Sequence, residues 1–157
     1  MRVPRTVLAT VLALGLSSSF AASGHAELAA WDPAKVTTLA KQLVEAAGAL
    51  YDAVYKQPPP QTGSMQSRDY YRLKQQVRHI RSEARELAAS LEKGAGHDET
   101  LPVYESLMEV VREARETAAR VFTVADVQQR ATAARQLLNQ IAPYYDPDAV
   151  ELGPVTR

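Results

Sequence analysis

No cysteine occurs in the 157 residues. That excludes disulfides, thiolate catalysis, cysteine-ligated zinc, covalent c-type haem and a lipidated cysteine anchor. Aromatic residues are scarce, at 6% of the chain. Alanine is abundant, so closely packed helices are favoured over a β-sandwich. Neither sign of charge prevails, with 18 basic and 18 acidic residues. A near-neutral chain has no whole-molecule attraction for nucleic acid or an anionic membrane, and no nucleic-acid partner is predicted. A Gly-rich phosphate loop and the Glu-x-x-His signature of di-iron bundles are also missing. No Ser-His-Asp set can be assembled from the spacing. Catalytic residues, metal ligands and cofactors are therefore predicted as none, and the chain reads as not an enzyme.

The longest apolar run, Val7–Leu16, is broken by Thr10 and Gly15 and is too short to span a bilayer of about 30 Å. It follows Arg2 and Arg5 and precedes Ser17–Ser19, the layout of an export signal. Two small-residue cleavage positions follow, Ser19-Phe20-Ala21 and Gly24-His25-Ala26. Cleavage after Ala26 is preferred, because Glu27 then begins a polar chain. Without Arg2 and Arg5 the remainder has 16 basic and 18 acidic residues. The expectation is a signal peptide at 1–26 and a soluble product, periplasmic or secreted, with no stable membrane insertion.

The stretch Tyr70–Leu91 sets the architecture. Tyr70, Leu73, Val77, Ile80, Ala84, Leu87 and Leu91 alternate at spacings of three and four, which is the seam of a helix packed lengthwise on others. The same pattern gives four helices, at about 33–56, 66–93, 101–122 and 124–142. Asp32 and Pro33 mark the first start, with Trp31 placed to staple onto Val36. The prolines Pro58, Pro59 and Pro60 make a stiff inter-helix loop. Gly94 is the expected left-handed stop of helix 2. On that helix Lys74 and Arg81 form a basic flank, and Asp69, Gln76 and Glu83 an opposite one. Helix 3 carries the seam Tyr104, Leu107, Val111, Ala114, Ala118, Val121 and Ala125, broadened by Met108, Val110 and Phe122. Arg112–Glu116 and Glu116–Arg120 are expected as ion pairs along it.

Beyond Thr123 the phase changes. Continuing helix 3 would bury Gln128, Thr132, Arg135 and Asn139. The apolar set is instead Val124, Val127, Ala131, Ala134, Leu138 and Ile141. One residue of shift turns the face by about 100°. A break near Thr123 is predicted, with Thr123–Asp126 as a capping box and one long kinked helix as the alternative. The fold class is then all-α: an antiparallel up-down-up-down four-helix bundle over 27–145, with 146–157 a loosely ordered tail.

The plan resembles the periplasmic cytochrome b562 and cytochrome c-prime bundles, over helices 1 to 4 and in architecture only. The b562 type implies a Met near the start of helix 1 and a His near the end of helix 4. Here helix 1 has no Met, and the chain reads Gln140-Ile141-Ala142-Pro143-Tyr144-Tyr145 with no His. The c-prime type needs Cys-x-x-Cys-His. Tyr144 or Tyr145 carries a phenol of the kind that ligates haem iron in some proteins.

His79 is placed on the outward side near Glu83, and His97 with Asp98 and Glu99 in a charged loop. Tyr51, Tyr55, Tyr70 and Tyr71 are expected to meet at one end of the bundle, and Trp31, Tyr104, Tyr144 and Tyr145 at the other. Such polar-tipped aromatics form packed ends or a partner or ligand surface. The functional expectation is an exported, non-catalytic binding or scaffolding bundle with an unknown protein partner, able to form a homodimer. The alternative is a periplasmic small-ligand, metal or haem carrier.

Overall fold

The computed structural model describes residues 28–59, 65–148 and 151–155. The expected export segment 1–26, part of the proline loop and parts of the tail lie outside these. Four α-helices and no strand are present among the described residues: α1 Pro33–Lys56, α2 Met65–Glu92, α3 His97–Ala118 and α4 Ala125–Ile141. A turn of 3-10 helix, Ala142–Tyr144, follows α4. This agrees with a four-helix bundle. None of these helices is long and apolar enough to cross a membrane.

Local chemistry sets most of the helix ends. Asp32 accepts a hydrogen bond from the Lys35 amide at 3.0 Å, and Pro33 occupies the first turn. Gly94 has φ +88°, and its amide bonds to the Leu91 carbonyl. The α3 boundaries differ from expectation. The helix begins at His97, because Glu99 turns back to accept from the Gly96 amide at 2.8 Å. Pro102 therefore lies beyond the first turn. The end comes at Ala118, where a turn at Ala119 and Arg120 sends Val121 into the core and leaves Phe122 66% exposed. Phe122 does not broaden the seam, and Ala125 is exposed rather than buried.

The break between α3 and α4 is real, but its cap is not Thr123. The Val124 amide donates to Oε1 of Gln57 at 3.2 Å, and Gln57 Nε2 donates to the Phe122 carbonyl at 3.1 Å. A residue at the end of α1 thus holds the link between α3 and α4. Val124 is itself exposed.

Every residue of the Tyr70–Leu91 seam is buried. Direction follows from polar contacts at the ends. Tyr70, early in α2, bonds to carbonyls late in α1, and Lys41 of α1 pairs with Glu92 of α2 at 2.7 Å. Arg120, just past α3, reaches Asp69 early in α2 at 3.3 Å, instead of the Glu116 expected within its own helix. The Ala29 amide, ahead of α1, donates to the Pro143 carbonyl after α4. Each packed pair is antiparallel.

The packing is uneven. Extensive contacts join α1 to α2, α2 to α3 and α1 to α4, whereas α3 and α4 have no comparable contact. The polar track of α4 explains this. Gln128, Thr132 and Arg135, which continued heptad phase would have buried, face the gap toward α3. They give α3 no apolar ridge to pack on.

Candidate functional site

The two aromatic ends form, but mainly as packing. At one end Tyr51 and Tyr55 stack with centroids 4.1 Å apart, and Tyr70 and Tyr71 meet edge-on at 5.6 Å. Lys74 joins the pairs, its ammonium 4.2 Å from the Tyr55 ring and 5.5 Å from Tyr70. Arg81 covers Tyr51 at 4.5 Å. The basic flank of α2 is therefore turned to the tyrosines of α1, and Asp69 of its acidic flank to α3. Tyr70 is buried, and of the four only Tyr71 is exposed.

At the other end Tyr145 stacks on Tyr104 at 4.3 Å and on His97 at 5.4 Å, with Trp31 edge-on to both His97 and Tyr145. Tyr144 lies outside this stack, under the Lys35 ammonium at 5.7 Å. Tyr104, Tyr144 and Tyr145 are all buried. Burial pushes the Tyr104 phenol up to about 12, helped by Asp146 and Tyr145, and raises Tyr145 as well. His97 is a packed member of this cluster at the start of α3, not a loop residue. Its Nδ1 is 2.7 Å from Asp98, while Nε2 is buried without a partner. Thr100, fully buried, joins Tyr145 at 2.8 Å between hydroxyl oxygens. His79 is exposed on the outer face of α2. Among the described residues, no three His, Asp or Glu side chains come together as a metal site.

A large concavity lies elsewhere, in the gap between α3 and α4. It is a cavity of about 490 Å³, within the range of small-molecule sites. Its floor is the inner face of α1 and α2: Leu50, Val54, Leu73, Val77 and Ile80. Ala114 and Ala118 of α3 and Val127 and Ala131 of α4 make apolar walls. Arg115, Thr123, Gln128, Thr132 and Arg135 supply the polar groups.

The third side is the chain's own C-terminal segment, Gly153-Pro154-Val155. Although 146–157 reads as loosely ordered in the sequence, this part is tethered. Asn139 of α4 accepts from the Leu152 amide at 2.9 Å and donates to the Leu152 carbonyl at 3.3 Å and Glu151 at 3.4 Å. From the opposite wall, Arg115 donates to the Gly153 carbonyl at 3.1 Å. The segment crosses from α4 to α3 as a strap.

In the sequence the floor and apolar walls read as core, and Gln128, Thr132 and Arg135 mark only the change of phase beyond Thr123. The available signal was the shift near Thr123. It identifies Gln128, Thr132, Arg135 and Asn139 as a polar track on a helix whose neighbours are apolar. Compared with known proteins, the chain matches no family model, no curated protein and no solved structure.

Proposed function

We propose that this protein is an exported, non-catalytic binding protein that carries a small apolar ligand in the groove between α3 and α4. The carrying observation is the 490 Å³ cavity floored by Leu50, Val54, Leu73, Val77 and Ile80. A surface of five aliphatic side chains reached from outside is favourable to cover with apolar matter, at about 25 cal/mol per Å². Polar groups are few and confined to the walls, where they fix a ligand's orientation. Export rests on the sequence of residues 1–26. The aromatic ends serve this reading as rigid packed caps that hold the helices apart at a fixed spacing.

The test is saturable binding of Nile red, a neutral dye whose emission shifts in apolar surroundings. We expect one dye per chain, lost in Ala131→Phe, whose ring occupies the groove, with far-UV circular dichroism and melting behaviour retained. A dye signal that never saturates, or that survives Ala131→Phe unchanged in a folded variant, overturns the proposal.

A further inference from the structure

We infer that the groove is built for an amphipathic anion: an alkyl chain on the apolar floor, ended by a carboxylate or phosphate held between Arg115 and Arg135. The inference rests on the carrier reading and adds the ligand's charge and shape.

Three observations carry it. The charged side chains lining the cavity are Arg115, on the α3 wall, and Arg135, on the α4 wall, and no acidic residue lines it. Cationic groups on both walls of an apolar cavity make a field of one sign, which concentrates anions and repels cations. Next, Arg135 makes no hydrogen bond or ion pair among the described residues, and its Nε is buried without a partner. A buried guanidinium N–H left unpaired costs free energy until an acceptor arrives, and a planar carboxylate or phosphate suits its fork geometry. Arg115, third, is already engaged with an acceptor, the Gly153 carbonyl of the strap at 3.1 Å. A main-chain carbonyl is a neutral acceptor, so a ligand oxyanion competes for the same N–H with a stronger, charge-assisted bond.

The amphipathic shape follows from the layout. The floor has no polar side chain, so it takes hydrocarbon, and the arginines on the walls take the head. Thr132, on the same wall as Arg135, adds a neutral donor to that head, while the Gln128 amide is already committed to the Thr123 carbonyl at 2.9 Å. A fully polar anion would leave the aliphatic floor wet, and a neutral hydrocarbon would leave Arg135 unpaired.

The experiment is displacement of bound Nile red by four ligands with the same chain: dodecanoate, dodecyl phosphate, dodecanol and dodecyltrimethylammonium, each below its micelle concentration. We expect either anion to displace the dye at least about tenfold more tightly than dodecanol, with the cation weakest. The tighter of the two anions names the head group. Arg135→Met, which keeps an apolar stem, should remove most of the anion's advantage and leave dodecanol unchanged. Arg115→Met should do the same in part. If Nile red binds but dodecanol equals both anions, or Arg135→Met leaves their advantage intact, the anionic assignment is overturned while the carrier reading stands. Absence of saturable Nile red binding removes the carrier reading itself.

Discussion

The phenol of Tyr70 donates a 2.6 Å hydrogen bond to the main-chain carbonyl of Gln57, the residue that caps α1. The side chain of the same Gln57 binds the link between α3 and α4 at two points, the Phe122 carbonyl and the Val124 amide. One half-buried glutamine therefore ties three helix ends together. Tyr70 loses this bond in Tyr70→Phe, with the ring's packing unchanged. We expect a loss of about 1–2 kcal/mol in urea unfolding with the slope preserved.

Gln57→Ala removes the acceptor of the Val124 amide, at the start of α4, without touching α4. The expected cost is about 1 kcal/mol, the usual net worth of a hydrogen bond. It should appear first as faster hydrogen exchange at the Val124 amide, and α2 should be unaffected.

Gly94 stands at φ +88°, where a side chain is strained although nothing crowds its Cβ position. Gly94→Ala should destabilise by about 1 kcal/mol. Gly48, inside α1 with open space at its Cβ, should respond with the opposite sign. Thermal unfolding of the two variants checks the contrast.

Tyr104 gives stability an alkaline limit. Its phenol ionises at about 12 in the fold, against 10 when unfolded. Between those values the unfolded chain sheds this proton first, so stability is full below pH 10 and falls as pH rises toward 12. The loss is on the order of 2 kcal/mol. Tyr104→Phe should flatten that part of the profile, measured by urea midpoints from pH 9 to 12.

Asn139→Ala cuts three of the bonds that hold the strap while leaving the α4 backbone intact. The Leu152 amide should then exchange about tenfold faster, and Nile red should enter the groove faster. Global stability should change little, since the bonds lost are to a half-buried asparagine and leave the packing of the four helices in place.

The helices were legible because burial writes a period into sequence. From Tyr70 to Leu91 each seam residue is buried as the spacing requires. Asp32 and Gly94 likewise act through their own neighbours. What was not legible depends on distant chain. Nothing near Val124 announces that Gln57, 67 residues earlier, accepts from its amide. Arg120 chose Asp69 over Glu116 because the turn after Ala118 takes it off the helix on which a four-residue spacing has meaning. His97, expected in a charged loop, opens α3 because Glu99 reaches back to the Gly96 amide. The groove was half visible. The polar track on α4 was plain in the heptad phase, but not that α3 would stand away from it, or that residues 153–155 would bridge the gap.

Because α4 seats chiefly on α1, the first and last helices of the bundle are partners. The bond from Gln57 to Phe122 closes a span of 65 residues, whereas α1 with α2 and α2 with α3 close as local hairpins. Loop closure favours the short spans, so three helices can assemble during synthesis while half of α1 still waits for its neighbour. That uncovered side of α1 is what the cell's holding factors would meet on a chain emerging from its N-terminal end. The groove, walled by α4 and bridged by the strap after it, forms only once α4 has closed on α1.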